Sequence, residues 1–360
     1  MLSSELSSPQ ALAELTTRIK SWAQELGFSD CRIVAPELSQ HREEYENWLA
    51  QGYQGEMDYL ANHMPLRFDP AALHEGTQRL IVVSMPYLPE NVATVKRLQS
   101  KDKAYIARYA LGRDYHKVIR KRLTELGKRI TNEVADHGYR AFVDSAPVLE
   151  RHIAEQAGMG WVGKNTLLLT PKAGSWFLLG ELFTNLPLPV DPPTKQRHCG
   201  SCQACIDKCP TDAFVGPWVL DARKCISYLT IEYNGSIPVE LRSKMGNRIF
   251  GCDDCQLVCP WTKFANYSKE DDFQPRHNLD AADLVELMQW DETTFLERTA
   301  GSPIRRTGFI NWQRNLAVAL GNAPTSQAVI AVLQQTFAAS QSELVKEHVI
   351  WALAQHGVTS

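Results

Sequence analysis

Hydrophobic positions in the first half of the chain recur at helical spacing in some segments and run continuously in others. Residues 9–27 place apolar side chains three and four positions apart, which predicts an amphipathic helix ending at Gly27. Asp114 is a predicted N-cap for a second, longer helix that extends to His137. Short apolar runs such as "RLIVVSMPY" and "SWFLLGELF" are typical of buried strands. Helices alternating with strands predict an α/β domain over residues 1–185.

Further strands are predicted at "DCRIVAP", "AYIARYA", "AFVDSAP" and "TLLLTP", and a helix at "VLERHIAEQAGMG". The segment "KAG" joins "TLLLTP" to "SWFLLGELF", and its length and glycine predict a hairpin between these two strands.

Beyond residue 185 the pattern changes twice. The proline-rich "NLPLPVDPPTKQ" predicts a linker into a cysteine-rich domain over residues 186–270. Residues 271–360 return to helical periodicity, and "NLAVALGN" aligns with "HVIWALAQ" at a period of 33 residues. Two matching helices at this spacing favour a HEAT-like helical domain.

Charge and composition exclude few classes of protein. The 360 residues carry a net charge of -3, so the chain as a whole is not basic, although residues 101–140 hold eleven Lys+Arg against five Asp+Glu. We find no secretory leader in the first residues and no apolar stretch of about 18 residues. The expectation is a protein of the cytoplasm with no membrane contact.

The cysteines carry the strongest chemical signal. In "HCGSCQACIDKCP" they follow the bacterial ferredoxin spacing C-x2-C-x2-C-x3-C-P, in which the fourth cysteine binds a second [4Fe-4S] cluster. A second, shorter motif ends at Pro260, and Cys225 lies upstream to complete it; Cys31 is left over as a buried thiol. The ferredoxin pattern assigns one cluster to Cys199, Cys202, Cys205 and Cys259, and the other to Cys209, Cys225, Cys252 and Cys255.

Two other interpretations of these cysteines stay open. C-x2-C pairs also bind structural zinc, which would fit an RNA-binding protein. Two clusters alone would fit a non-catalytic electron-transfer subunit. The 26 residues between Cys225 and Cys252 exceed what a ferredoxin needs, and they predict a docking surface near the second cluster.

With these motifs in view, the chain resembles the epoxyqueuosine reductases, a family related to reductive dehalogenases. The resemblance is carried by "RYALGRDYHK", "FVDSAPVLER", "GMGWVGKN", "MGNRIFGCDDCQLVCPW" and "WQRNLAVALGNAP", and extends over nearly the whole chain. It implies reduction of epoxyqueuosine to queuosine at the wobble position of tRNA. It also implies cobalamin, brought to Co(I) through the two clusters, and a reduced flavodoxin or ferredoxin as electron donor to a monomer. A dehalogenase-like enzyme acting on a small molecule is the nearest alternative.

Asp144 in "FVDSAP" is the candidate proton donor, because it follows a strand and the departing oxygen needs an acid. That role calls for a pKa raised by burial; the alternative is a helix N-cap. His116, in "DYHKVI", is interpreted as a first-turn helix residue and not as a cobalt ligand. By resemblance, the cobalamin contacts are Arg67, Ala107, Asp144, Lys164, Asn165, Ser227 and Asp254.

Binding of tRNA requires cations that meet phosphates. Arg305, Arg306 and Arg314, near the helical repeat, are the candidates, with a basic patch on the helix after Asp114 as a second surface. Charge runs are also common on solvated faces that bind nothing.

Overall fold

A computed structural model describes residues 8–90, 92–194 and 196–358. Helices and strands alternate in the N-terminal part, as the apolar pattern predicts. These elements are α1 (Pro9–Glu25), β1 (Asp30–Val34), α2 (Arg42–Ala50), α3 (Met64–Phe68), β2 (Arg79–Pro86), α4 (Thr94–Gln99), β3 (Tyr105–Ile106), α5 (Tyr115–Glu133), β4 (Tyr139–Phe142), α6 (Glu150–Gln156), β5 (Trp161–Val162), β6 (Leu168–Leu169) and β7 (Phe177–Thr184).

A four-stranded sheet in the order β1-β2-β7-β4 forms the centre of this part, and each neighbouring pair is antiparallel. Helix α5 covers one face closely, because Gly180 has no side chain: a Cβ there would lie 2.8 Å from Ile119 and 3.0 Å from Leu123. Helix α6 covers the other face, where Ile153 packs with Phe183. The alternation predicts the mixture of helix and strand but not the antiparallel pairing.

The predicted hairpin between "TLLLTP" and "SWFLLGELF" is wrong. Strand β6 pairs with β5 instead, with Leu169 opposite Trp161, and β7 lies between β2 and β4. The linking segment makes only an isolated bridge between Thr170 and Gly174. Strand β7 has an eight-residue partner in β2, so its backbone hydrogen bonds are better satisfied in the central sheet than in a short hairpin.

The cysteine-rich part contains short elements, because its chain is organised around thiols and turns. Strand β10 pairs in parallel with β3, with Arg248 opposite Tyr105, and so ties this part to the N-terminal one. The elements are α7 (Ala204–Asp207), β8 (Phe214–Gly216), β9 (Val219–Leu220), α8 (Ile226–Ile231), α9 (Val239–Met245), β10 (Arg248–Phe250) and α10 (Asp254–Leu257).

The C-terminal part is helical, as predicted, and the period of 33 residues places matching apolar residues on α13 and α15. Leu316 and Val349 are both fully buried, as are Ala319 and Ala352. One hydrophobic core joins these helices to β3 and β10. Among the described residues, no helix is long and apolar enough to cross a membrane. The helices are α11 (Leu284–Met288), α12 (Glu292–Arg298), α13 (Gly308–Gly321), α14 (Gln327–Ala339) and α15 (Glu343–Gln355).

Candidate active site

The structure brings the eight clustered cysteines together in two neighbouring groups. The first group lines a cavity of about 290 Å³, with Trp261 and His198 in its wall. Burial, and then the nearby thiols of Cys259 and Cys199, raise the pKa of Cys205 to about 11. Four thiols around one cavity fit the donor set of a [4Fe-4S] cluster. These four are Cys199, Cys202, Cys205 and Cys259.

The second group surrounds Cys255, which is half-buried at the second residue of α10. Its pKa is raised well above the usual range by burial, then by Cys225, with Cys205 and Cys209 also contributing. Cys225 precedes α8 directly as its N-cap residue. Helix α7, which carries Cys205, contacts α10, which carries Cys255, so the two groups adjoin, as one-electron transfer between two clusters requires.

Cys252, the remaining member of the second group, lies beside an ion pair. Its Sγ is 2.9 Å from Oδ2 of Asp254, and both carboxylate oxygens of Asp254 accept from Arg248 at 2.6 Å. Asp254 is thus next to the second group, as predicted, but its carboxylate is already paired. Ser227 lies half-buried in α8, two residues after Cys225.

Lys164 and Asn165 line the cavity of the first cysteine group, and their contact with cobalamin stays a prediction. Nζ of Lys164 donates to the carbonyl oxygens of Gly200 at 2.7 Å and Cys202 at 2.9 Å. The Asn165 amide donates to the carbonyl of Cys255 at 3.4 Å. Because their polar atoms are used by the cysteine segments, these side chains hold the cluster loops.

Asp144 lies beyond the end of β4, where the starts of α5 and α6 also converge. Its Oδ2 accepts from the Tyr115 hydroxyl at 2.6 Å and lies 3.0 Å from Nε2 of His116. Nδ1 of His116 is 2.7 Å from Oδ1 of Asp114, the residue that caps α5 as predicted. The Asp144 side chain is 54% exposed, so it can still reach a ligand.

The pKa of Asp144 differs from the expectation. Burial raises it, but hydrogen bonds from His116 and Tyr115 outweigh burial, and the net effect lowers the pKa below its ordinary value. For His116, burial lowers the pKa, but bonds to Asp114 and Asp144 outweigh it and the net effect is a rise. The proton of this pair therefore resides on His116, next to Asp144.

The backbone of Asp144 excludes the N-cap interpretation. The residue has φ of 55°, in the left-handed region, and α6 begins only after Leu149, its N-cap residue. The Asp144 N–H instead donates to Oε1 of Glu150 at 2.5 Å. Left-handed backbone is uncommon at residues other than glycine, although aspartate adopts it more readily than most, and such strained residues cluster at active sites.

Two cavities flank this site and meet at Arg151. The smaller, about 160 Å³, is lined by Asp144, Tyr115 and Glu150. The larger, about 750 Å³, lies between α2, α6 and strand β9, with His152 in its wall. Within the described part of the chain, Nδ1 of His152 is buried without a hydrogen-bond partner. A large organic ligand with polar edges, as cobalamin is, fits this arrangement.

Two other predicted cobalamin contacts are almost fully buried. Arg67 donates to the carbonyl of Tyr59 at 2.7 Å, while its Nε is buried and has no partner among the described residues. Ala107 is 1% exposed and packs so closely on Gly251 that a Cβ at that glycine would lie 2.5 Å away. Arg67 therefore keeps a free donor, whereas Ala107 offers only a small buried methyl group.

The three candidate tRNA arginines occupy different environments. Arg314 is fully buried, and its guanidinium donates to the carbonyls of Tyr233 at 2.7 Å and Leu229 at 2.8 Å, so its placement on a binding surface is wrong. Arg305 is exposed. Arg306 lies 3.2 Å from Nδ1 of His116, at the mouth of the Asp144 site. The helix that carries Arg314 turns this residue inward, which a charge count does not reveal.

Sequence reasoning missed three residues at the Asp144 site. Tyr115 and His116 bond its carboxylate, and Glu150 bonds its backbone. Tyr115 and His116 follow the N-cap directly, so they point back from the start of α5 toward the end of β4. No sequence spacing predicts that residues 115 and 116 lie near residue 144, because they come together only when α5 packs on the sheet.

A two-cluster cysteine segment joined to a cavity that presents a hydrogen-bonded aspartate is the arrangement of an iron–sulfur oxidoreductase. Residues 67–145 match the family model described as "Epoxyqueuosine reductase QueG, DUF1730", and residues 198–262 match the "4Fe-4S double cluster binding domain". The epoxyqueuosine reductase of Pseudomonas aeruginosa is 58% identical over 98% of this chain and 97% of its own length. The chain belongs to the epoxyqueuosine reductase family.

Solved structures agree with this assignment. An epoxyqueuosine reductase crystallised with an epoxyqueuosine-modified tRNA stem loop matches with a TM-score of 0.87 at 26% identity, covering 96% of this chain and 91% of that one. The Bacillus subtilis enzyme, with its catalytic loop swung out of the active site, matches with a TM-score of 0.86 at 25% identity over 95% and 90% of the two chains.

Proposed function

We propose that this enzyme reduces epoxyqueuosine to queuosine at the wobble position of tRNA. The observation that carries the proposal is the Asp144 site, which is open to a cavity, in a chain of this family that also holds two groups of four cysteines. Conversion of an epoxide to an alkene consumes two electrons and two protons and releases water. The chain must therefore provide an electron path and a proton source.

The electron path runs through two [4Fe-4S] clusters, one on Cys199, Cys202, Cys205 and Cys259 and one on Cys209, Cys225, Cys252 and Cys255. Cobalamin, when bound, would supply the low-potential two-electron chemistry that amino acids lack. The cavities that meet at Arg151 are its proposed site, with Asp144 in the wall of the smaller cavity and His152 in the wall of the larger one. Further proposed contacts rest on the family resemblance and lie outside the linings of these two cavities; they are Arg67, Ala107, Lys164, Asn165, Ser227 and Asp254.

Asp144 is the proposed acid, and the structure suggests how it is supplied with a proton. His116 holds a proton 3.0 Å from the Asp144 carboxylate and is itself held by Asp114. The His116 imidazolium passes its proton to the Asp144 carboxylate, which delivers it to the departing oxygen, and solvent supplies the second proton of the water released. Tyr115 fixes the carboxylate by donating to the same oxygen.

The proposal also covers the domains, the tRNA contacts, the oligomeric state and the electron donor. The chain divides into a cobalamin domain over 1–185, a ferredoxin-type domain over 186–270 and a HEAT-like helical domain over 271–360. Arg305 and Arg306 bind tRNA phosphates. The enzyme acts as a monomer in the cytoplasm and receives single electrons from a reduced flavodoxin or ferredoxin.

The test is an anaerobic single-turnover assay with epoxyqueuosine tRNA, reduced methyl viologen and cobalamin-loaded enzyme. Queuosine formation is measured by nucleoside mass spectrometry. We expect Asp144→Asn to lower the rate by about 10²–10⁴-fold, the usual contribution of a general acid, with cobalamin and iron content unchanged. Wild-type enzyme that forms no queuosine would refute the function, and a fully active Asp144→Asn variant would refute the acid.

A further inference from the structure

Glu181 is a buried acid with no evident structural use. It lies in the middle of β7, opposite Val82 in β2 and Phe142 in β4, and is 0% exposed. Neither carboxylate oxygen accepts a hydrogen bond from any donor of the described residues. An ionised carboxylate in such surroundings is very costly, so the group stays protonated. Burial, and then the neighbouring Glu150, raise its pKa well above the usual range.

Glu150 connects this buried acid to the catalytic loop. Its Oε1 accepts the Asp144 N–H at 2.5 Å. Glu150 begins α6, which contacts β7, and its carboxyl group lies beside that of Glu181. Burial, and then the Asp144 charge, raise the pKa of Glu150 to about 7, while a hydrogen bond from Glu181 favours its ionised form. The Glu150 carboxylate, which holds Asp144, is therefore an acceptor for the proton on Glu181.

We propose that Glu181 and Glu150 form a carboxyl pair that latches the Asp144 loop, residues 143–149, in its working position. Glu181 donates its proton to Glu150, and Glu150 accepts the Asp144 N–H, so both are positioning residues. The latch offsets the strain of the left-handed Asp144 backbone. In the structure of the Bacillus subtilis relative the catalytic loop is swung out of the active site, a movement of the kind that the proposed latch would oppose. The proposal rests on the role of Asp144 as acid.

Burial of the Glu181 carboxyl group also lowers the stability of the fold. A buried carboxyl without donors destabilises a sheet, and an apolar side chain of similar volume would pack better between Val82 and Phe142. Replacing Glu181 with leucine is therefore expected to keep or raise the melting temperature. Glu181 lowers stability and neighbours Glu150, which bonds to the catalytic loop. This combination is typical of a residue that is kept for function.

The test compares Glu181→Gln with Glu181→Leu in full-length, cofactor-loaded enzyme. Glutamine keeps an N–H donor toward Glu150, and leucine removes it. Deuterium exchange of segment 143–149 is followed by mass spectrometry, with α5 as internal control. We expect Glu181→Leu to speed exchange of this segment and to lower the single-turnover rate by about 10-fold or more, with unchanged affinity for tRNA, because small misplacements of a catalytic group are costly. Glu181→Gln should stay within about threefold of wild type in both measurements.

Two further variants keep the outcome decisive. Glu150→Ala removes the acceptor at a half-buried position and should speed the same exchange, even if Glu181→Leu does not fold. Asp144→Asn should leave the exchange protected, so failure of the acid assignment is distinguishable from failure of the latch. Unchanged exchange in both Glu181→Leu and Glu150→Ala, or equal damage from glutamine and leucine, would overturn the proposal.

Discussion

Nε2 of His116 lies 3.0 Å from Oδ2 of Asp144, and the opposite ring nitrogen lies 2.7 Å from Oδ1 of Asp114. One imidazole is thus held between two carboxylates, with the Arg306 guanidinium nearby and the Tyr115 ring stacked on it at 4.0 Å. In this geometry a histidine stays protonated more readily than in water, while the carboxylates stay ionised. In the proposed mechanism the proton for the epoxide oxygen starts on His116 and reaches that oxygen through Asp144.

This arrangement predicts the alkaline side of the pH–rate profile. His116 has a raised pKa, so its proton is lost at higher pH than that of an ordinary histidine, as pH rises through the raised value. Asp114→Asn removes the first group that raises the pKa, so the fall in rate should begin at lower pH than in wild type. The measurement is the single-turnover rate from pH 6 to 9, roughly the range in which histidine titrates. An unshifted alkaline limb in the Asp114→Asn variant would show that His116 is not the proton reserve.

The pairing of cysteines across the motifs predicts which cluster each substitution removes. Cys209 and Cys205 belong to one sequence run, but only Cys205 lines the cavity of the first group together with Cys259. Cys259→Ser should therefore remove the first cluster and leave the second, whereas Cys209→Ser should do the reverse. Each variant should retain roughly half of the iron, and the EPR spectra of the two reduced variants should differ.

One result would contradict the assignment of these cysteines to two clusters. If Cys209→Ser and Cys205→Ser give the same residual EPR spectrum, the four cysteines of the run bind one cluster together. Cys31→Ser is the matched control. Cys31 is buried in β1, where burial raises the pKa of its thiol to about 12, and its replacement should leave the iron content unchanged.

Features that local sequence determines can be predicted here, whereas features that depend on packing between distant segments cannot. The thiol groups follow from cysteine spacing, because chemistry fixes how many ligands a cluster needs. Helices α1 and α5 follow from apolar periodicity, and Asp114 from the preferences of N-caps. The pairing of β7 with β2, more than ninety residues away along the chain, does not follow, because several strands offer equally apolar faces.

At the site, too, the sequence predicts some residues but not the contacts that packing creates around them. Asp144 is predicted from its position after a strand, but its environment is not, because His116 and Glu181 reach it through the packing of α5 and β7. Arg314 illustrates the converse: a charged residue in a basic segment proves to be interior. Burial of a charge depends on which carbonyl groups the fold places around it, and sequence periodicity does not contain that information.

Lys164 is expected to control assembly of the first cluster. Its Nζ donates to the carbonyls of Gly200 and Cys202 and so holds the loop that carries Cys199 and Cys202. Lys164→Met removes both hydrogen bonds but keeps the apolar stem. We expect lower iron content, with loss confined to the EPR signal that Cys259→Ser abolishes. Arg248→Met, beside the second group, is the matched control and should affect the other signal; equal loss of both signals in Lys164→Met would point to a general folding defect.

Arg314 and Arg305 offer a last test, because one is interior and the other exposed. Arg314→Met leaves the carbonyls of Tyr233, Gly235 and Leu229 without their donor. At about 1–3 kcal/mol for each unsatisfied buried group, the free energy of unfolding should fall by about 3 kcal/mol or more.

Arg305→Ala should leave the free energy of unfolding within about 0.5 kcal/mol of wild type, since its side chain is exposed. It should instead weaken tRNA binding and reduce the salt dependence of the binding constant by roughly one ion, the signature of a lost phosphate contact. Chemical denaturation and tRNA titrations at several salt concentrations separate the two effects. A stable Arg314→Met variant with weakened, less salt-dependent tRNA binding would place Arg314 back on the binding surface and contradict its interior role.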